Sequence, residues 1–191
     1  MHADKLGRAL IDNARQAIAA ELALAADDPP AHVALLRPGA TFVTLFCRGE
    51  LRGCIGSLKT TRALGADVRE NAVAAAFRDP RFPPLTAAEF GLTWIEVSLL
   101  SATESHRFDT EAALRDRLRP GVDGVTIEHD ARRATFLPQV WESLPEPQDF
   151  LAALKQKAGL PVDFWSPRLN VVLYQVTKWK EQDFVPAGLH T

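Results

Sequence analysis

Residues 51–58 read LRGCIGSL, and this octapeptide constrains the fold more than any other segment of the chain. Gly53 and Gly56 flank Cys54 within a run that otherwise has the composition of a β-strand. Glycine inside a strand weakens it, because glycine adds no side-chain packing and loses the most conformational freedom on folding. A strand that keeps both glycines predicts that a ligand, or another strand, approaches the backbone closely at this point.

The octapeptide is predicted to be the second arm of a β-hairpin. The preceding segment, TFVTLFCR at 41–48, is rich in β-branched and aromatic residues and predicts the first strand. Between the arms, Gly49 and Glu50 favour a type II′ turn with glycine at its first central position. Residues 51–58 are therefore expected to fold back antiparallel onto 41–48.

This turn predicts a register for the hairpin. Cys47 is expected opposite Arg52, and Leu45 opposite Cys54. Because side chains alternate along a strand, Arg52, Cys54 and Gly56 are predicted on one face, with the guanidinium beside the thiol. Cys47 and Cys54 are then diagonal neighbours roughly 7 Å or more apart at Cα, at or beyond the limit for an unstrained disulfide, so a redox pair is not expected.

Elsewhere the chain alternates irregularly between helical and strand patterns. The periodicities predict helices over 5–24, 63–78, 110–118 and 147–159, strands over 94–100 and 170–179, and a second hairpin over 125–137. Thr86 and Glu89 have the spacing of a capping box for a further short helix. This order favours an α+β fold, with a mostly antiparallel sheet flanked by helices, over repeated βαβ units.

Composition and charge narrow the class of protein. The 191 residues carry a formal net charge of -2, which gives no general attraction for nucleic acid, so nucleic-acid binding is not expected. The N-terminus lacks an apolar leader and no stretch approaches about 18 apolar residues, which predicts a cytoplasmic protein without a membrane span. The five histidines and two cysteines show no ligand spacing, so we expect no bound metal, and no motif predicts a cofactor.

Cys54 is the candidate for chemistry. A neighbouring cation stabilises a thiolate, whereas apolar burial opposes it, so reactivity depends on whether the face of Cys54 opens to a cleft. His106 and His129 are the mid-chain bases, and neither has a recognisable position relative to Cys54. The sequence leaves open whether Cys54 is a reactive group or a small packing residue.

A second notable segment, RDPRFPPL at 78–85, contains three prolines that stiffen a loop with two arginines and one carboxylate. Arg78 and Arg81 can hold a carboxylate or phosphate through their forked donors. Alternatively, Asp79 pairs with one of these arginines and holds the loop in place. Gln139, in a predicted turn, can line a pocket or satisfy loop backbone groups.

Six separated stretches resemble the AMMECR family, the domain known as protein A of the AmmeMemoRadiSam system. They lie between residues 41 and 161 in the order of the family, and they read TFVTLFCRGELRGCIGSL, AFRDPRFPPLT, IEVSLLS, GVDGVTIE, ATFLPQVW and FLAALKQKAGLP. Ser57 stands where such sequences often have threonine, a change that keeps the hydroxyl. LRGCIG and DPRFPPL are the specific parts of this resemblance.

The resemblance implies one α+β domain over 1–191 with two lobes and a cleft between them. It implies a larger lobe from about 1–105 and 166–191, and a smaller lobe from about 106–165, with LRGCIG near the cleft. On this basis the expected site residues are Arg52, Gly53, Cys54, Gly56, Arg78, Asp79, Arg81 and Gln139.

The resemblance also implies a function. Related proteins resemble partners of a Memo-like protein and a radical SAM enzyme, which suggests a component of a modification pathway. We expect the chain to bind a small anionic ligand or substrate group at LRGCIGSL, with Cys54 as the candidate reactive thiol. The alternative is a non-catalytic adaptor in which the motif is structural, so the sequence leaves open whether the protein is an enzyme.

Overall fold

The computed structural model describes residues 2–25, 27–101 and 103–184. Contacts divide the chain into a first unit, Met1–Leu99 with Thr177–Thr191, and a second unit, Leu100–Val176. Helices and mostly antiparallel strands occur in both, which confirms the α+β class. Among the helices within the described ranges, none has an apolar stretch long enough to cross a membrane. The predicted two lobes, their cleft and their boundaries stay predictions.

The first unit is built on two long helices. Helix α1 spans His2–Glu21 and helix α2 spans Leu64–Phe77, close to the predicted 5–24 and 63–78. Leu10, Ala14 and Ile18, which form the apolar stripe of α1, are fully buried. Ala23, with a φ of 54°, lies just beyond the end of α1 in a conformation that a helix cannot continue.

A four-stranded sheet packs against these helices in the order β10-β5-β2-β3. The unit also contains a two-stranded ladder, a single-turn helix and two 3-10 helices at Val33–Leu36 and Glu181–Phe184. The bounds are β1 (Pro38–Gly39), β2 (Thr41–Cys47), β3 (Glu50–Gly56), β4 (Arg62–Ala63), α3 (Ala87–Phe90), β5 (Thr93–Leu100) and β10 (Val176–Lys180). Val43, Leu45, Ile95 and Val97 alternate along β2 and β5 and bury completely in the core that contains Val68 of α2.

The β2–β3 hairpin forms as predicted, but its turn differs. The two turn residues are Arg48 and Gly49, with φ values of 53° and 88°, and Cys47 pairs with Glu50. Positive φ at both central residues is the type I′ pattern, whose twist matches that of the flanking strands. The predicted type II′ turn at Gly49 and Glu50 is therefore wrong by one position.

The predicted register is also wrong. The register shifts between Leu45 and Phe46, so Leu45 faces Gly53 and Thr44 faces Cys54. A bulge of this kind inserts one residue into a strand and re-aims the neighbouring side chains. Arg52 is the residue that this shift leaves without a Cα partner in β2.

The second unit has its own sheet and core. Its sheet order is β6-β9-β7-β8, and its elements are β6 (Glu104–His106), α4 (Glu111–Arg117), β7 (Gly124–His129), β8 (Arg132–Phe136), α5 (Pro147–Lys157) and β9 (Asn170–Tyr174). Phe150 of α5 is fully buried and stacks on Trp141 with ring centroids 3.8 Å apart. The predicted helices 110–118 and 147–159 and the hairpin over 125–137 are confirmed within a few residues.

The single strand predicted over 170–179 is wrong. The run divides at Gln175 into β9, which joins the sheet of the second unit, and β10, which joins that of the first. Leu173 is buried in the second core and Trp179 in the first. Both halves have strand-like composition, so the alternation alone does not reveal that they belong to different sheets.

Candidate functional site

The loop that follows α2 covers the free edge of β3 at Cys54. β3 is the last strand of its sheet, so its outward backbone groups lack a strand partner. The Cys54 N–H donates to Asp79 Oδ2 over 2.9 Å, and Arg81 Nη2 donates to the Cys54 carbonyl over 3.5 Å. Two side chains of the DPR segment thus satisfy the backbone of Cys54 as a neighbouring strand would.

Asp79 and Arg81 form a bidentate ion pair. Arg81 Nη2 lies 2.6 Å from Asp79 Oδ2 and Arg81 Nε lies 2.9 Å from Oδ1. The Asp79 side chain is only 2% exposed, whereas that of Arg81 is 53% exposed. The hydrogen bond from Arg81 holds the pKa of Asp79 far below its usual range, and backbone N–H groups add to this against the opposing effect of burial. Of the two alternatives for Asp79, the structure shows pairing with Arg81.

The Cys54 thiol lies on the face of the sheet opposite to α2. Gly53 faces α2, so alternation turns Cys54 to the other side. Its Sγ accepts a hydrogen bond from Thr44 Oγ1, the side chain directly opposite in β2, over 3.3 Å. Cys54 is half-buried, and neither it nor Cys47 forms a disulfide.

Arg81, not Arg52, is the cation associated with Cys54. The pKa of Arg81 is raised, first by its hydrogen bond with Asp79 against the opposing effect of burial, and the charge of Asp79 and the interaction with Cys54 add to this. Arg52 instead donates from Nε to Glu89 Oε1 over 3.0 Å and from Nη2 to Oε2 over 3.3 Å. The predicted neighbourhood of Arg52 and the thiol fails because the bulge removes Arg52 from the regular alternation.

The Arg52–Glu89 pair ties β3 to α3. Glu89 also completes the predicted capping box, because Thr86 N and Oγ1 both donate to its Oε2. The hydrogen bond from Arg52 is the main reason that the pKa of Glu89 falls to about 2. The Arg52 side chain is 9% exposed, and its Nη1 is buried without a hydrogen-bond partner among the described residues.

Protein groups account for the close approach at both glycines. A Cβ on Gly53 would lie 2.1 Å from the carbonyl oxygen of Ala75 in α2. A Cβ on Gly56 would lie 2.2 Å from the ring of Phe42, its cross-strand partner. The sequence predicted a ligand or another strand at these positions, and the observed neighbours are a helix backbone and an aromatic ring.

The remaining predicted site residues, Arg78 and Gln139, form no hydrogen bond or ion pair with Cys54 among the described residues. Arg78 caps the end of α2 and forms an exposed ion pair with Glu70. Gln139 lies in the second unit, in a 3-10 helix at Pro138–Glu142, and its Oε1 is buried without a hydrogen-bond partner among the described residues. That Gln139 shares a site with Cys54 stays a prediction.

A buried polar network, which sequence reasoning missed, fixes the end of the motif. Asp67 in α2 is fully buried and accepts hydrogen bonds from Thr41 N, Thr41 Oγ1 and Asn71 Nδ2 over 2.7–2.9 Å. Asn71 Nδ2 also donates to Ser57 Oγ over 3.2 Å. Asp67 and Asn71 have the i, i+4 spacing of helix neighbours, which was the available signal.

Sequence reasoning also missed two other site residues: Thr44, which donates to Cys54 Sγ, and Glu89, which pairs with Arg52. Thr44 would have been found with the correct register, and Glu89 was predicted only as a capping residue. Within residues 2–25, 27–101 and 103–184, no three His, Cys, Asp or Glu side chains are arranged to hold a metal ion.

Comparisons with known proteins agree with this fold. The sequence profile of the AMMECR1 family matches residues 11–179. A protein of Methanothermobacter thermautotrophicus is 36% identical over 92% of this chain and 94% of its own length, and one of Thermotoga maritima is 36% identical over 75% and 79%. The crystal structure of the uncharacterized protein PH0010 from Pyrococcus horikoshii matches with a TM-score of 0.77 and 30% identity, covering 92% of this chain and 91% of that one. The chain therefore belongs to the AMMECR1 family.

Proposed function

We propose that this protein is a component of an AmmeMemoRadiSam-type modification pathway and that its Cys54 thiol contacts the substrate. Family membership supports the pathway. The surroundings of the motif support the choice of Cys54. Gly53, Gly56 and Arg52 each meet a group of this chain that accounts for them, whereas Cys54 is only half-buried and forms no disulfide.

The observation that carries the proposal is the pair of groups bonded to Cys54, one at its sulfur and one at its backbone carbonyl. Thr44 Oγ1 donates to Sγ over 3.3 Å, and the Arg81 guanidinium donates to the carbonyl of the same cysteine. A hydrogen-bond donor and a cation near a sulfur both favour the thiolate, which is the nucleophilic form.

An anionic substrate group would lie at Arg81. Arg81 keeps 53% of its side chain exposed despite its bond to Asp79, whereas Arg52 is 9% exposed and directed to Glu89. The exposed part of the Arg81 guanidinium is therefore available to a carboxylate or phosphate beside Cys54.

Alkylation of the two cysteines tests the reactive thiol. Cys47 is also free and half-buried, so it is an internal control in the same molecule. Mass spectrometry would follow both cysteines during reaction with neutral iodoacetamide and with anionic iodoacetate. We expect Cys54 to react faster than Cys47 and to show the higher ratio of iodoacetate to iodoacetamide rate, since Arg81 attracts the anion.

The variant Arg81→Gln should lower both the Cys54 rate and this ratio several-fold while the rates of Cys47 stay unchanged. Arg81→Lys keeps the charge and should retain most of the ratio. Arg78→Gln removes a charge from the same loop without contact to Cys54 and is the matched control. Equal rates at Cys54 in the wild type and in Arg81→Gln would refute a reactive thiol set by Arg81.

A second candidate function is a non-catalytic adaptor. The observation in its favour is that contacts within this chain, with helix α2, Phe42 and Glu89, account for most of the motif. An adaptor predicts that Cys54→Ser leaves binding to a Memo-like protein and a radical SAM enzyme intact, together with pathway output in cells. Loss of output by a normally folded Cys54→Ser protein would count against the adaptor and favour chemistry at the thiol.

A further inference from the structure

We infer that the second unit contains a binding pocket for a small zwitterion, namely a free α-amino acid. The pocket has a volume of about 210 Å³ and is lined by Glu104, Arg117, Arg119, Asp123, Leu173 and Gln175, among others. Drug-sized ligands occupy about 300 Å³ or more, so this pocket suits a molecule of few heavy atoms. The inference is independent of Cys54, which belongs to the first unit.

Arg117 supplies the binding group for a carboxylate. It is the last residue of α4, it is exposed, and it forms no hydrogen bond or ion pair with any residue in the described ranges. The arginines predicted as site residues in the first unit differ, because Arg52, Arg78 and Arg81 each pair with a carboxylate of this chain. A guanidinium that lines a concave surface without a partner matches a carboxylate in the two-pronged geometry that arginine favours.

Arg119 and Asp123 form a fixed wall of the pocket. The Asp123 carboxylate, 2% exposed, accepts from Arg119 N, Nε and Nη2 over 2.9, 3.2 and 2.6 Å. The bond to Asp123 is the main reason that the pKa of Arg119 is raised, and the charge of Glu104 adds to it. Because Asp123 compensates Arg119, the net attraction for an anion comes from Arg117.

The negative charge of Glu104 makes the pocket favour a zwitterion over an anion. It lies in β6 opposite Leu173, and its side chain is 71% exposed. Its carboxylate, which also lies 3.4 Å from His106 Nε2, would repel a phosphate or a dicarboxylate in the same pocket and attract an ammonium group. An α-amino acid carries both required charges, a carboxylate for Arg117 and an ammonium group for Glu104.

Titration of the full chain tests this inference. Nuclear magnetic resonance would follow the backbone amides of the pocket during addition of L-leucine, acetate, propylamine and inorganic phosphate. We expect L-leucine to bind more tightly than acetate or propylamine, and phosphate to bind least. Arg117→Gln should weaken L-leucine binding about tenfold or more, because a charge-assisted bidentate contact is lost.

Two further variants separate the pocket from general charge effects. Glu104→Gln should weaken L-leucine binding while leaving acetate binding equal or stronger. Arg115→Gln, on the same helix but bonded to Gln148 outside the pocket, should leave L-leucine binding unchanged. The inference is overturned if L-leucine produces no shifts at millimolar concentration, if Arg117→Gln binds it like the wild type, or if phosphate binds as tightly and Glu104→Gln has no effect.

Discussion

Replacing Gly53 by alanine tests whether helix α2 accounts for the first glycine of the motif. The new Cβ would lie 2.1 Å from the carbonyl oxygen of Ala75 and 3.0 Å from its carbonyl carbon. Both contacts are with backbone atoms, so no side-chain rotation relieves them. Either β3 or α2 must shift, and both are packed into the core that contains Val68, Ala72 and Ala75.

The expected cost follows from the packing. Overfilling a close-packed interior costs about 1–3 kcal/mol, and a clash with backbone belongs at the upper end of that range. The alanine also gains about 0.4–1 kcal/mol by restricting the unfolded chain, which offsets part of this cost. We expect a net loss of about 2 kcal/mol in the free energy of unfolding, or roughly 4–8 °C in Tm for a chain of this size.

Urea denaturation followed by circular dichroism would measure the loss as a lower midpoint at unchanged slope. Gly91→Ala is the matched control, because Gly91 has a φ of -65° and a Cβ there would meet nothing within 4 Å. The control should be neutral or slightly stabilising. If Gly53→Ala also lies within about 0.5 kcal/mol of the wild type, the close approach of α2 does not explain the glycine.

The remaining predictions concern charges and the turn. The folded pKa of Glu89 is about 2 against an ordinary 4.5, so its contribution to stability is present above pH 4.5 and is lost as the pH falls from 4.5 towards 2. Glu89→Gln should therefore unfold more easily at neutral pH. Between pH 4.5 and 2, its urea midpoint should depend less on pH than that of the wild type. Asp79→Asn removes the ion pair with Arg81 and should cost about 1.5–3 kcal/mol, with faster hydrogen exchange at the Cys54 amide; an unchanged exchange rate would show that Asp79 does not protect the strand edge. Arg48→Asn should raise the free energy of unfolding by about 0.5–1 kcal/mol, seen as a higher urea midpoint, since Arg48 has a φ of 53° and asparagine accepts that conformation more readily. A lower midpoint would contradict the type I′ turn.

Sequence patterns predicted the local elements well because these depend on neighbouring residues. The four-residue spacing of Leu10, Ala14 and Ile18 predicts α1, and the Thr86–Glu89 spacing predicts the cap of α3. The same patterns did not predict the bulge at Arg52. The Arg52 side chain pairs with Glu89, a residue 37 positions away, and no local pattern contains that contact. A single extra residue in one strand is enough to move a side chain out of the predicted alternation.

In the candidate site, too, local features followed from the sequence and contacts between distant residues did not. The amino-acid sequence by itself determined that a hairpin carries two glycines and a cysteine, that an arginine-rich proline loop follows α2, and that the chain resembles the AMMECR family. Only the tertiary structure decided that Asp79 and Arg81 pair with the backbone of Cys54, that Arg52 pairs with Glu89, and that residues 170–179 contribute to two sheets. The physical reason is that period and turn chemistry act between near neighbours, whereas the partner of a buried charge or a strand edge is chosen by packing between distant segments.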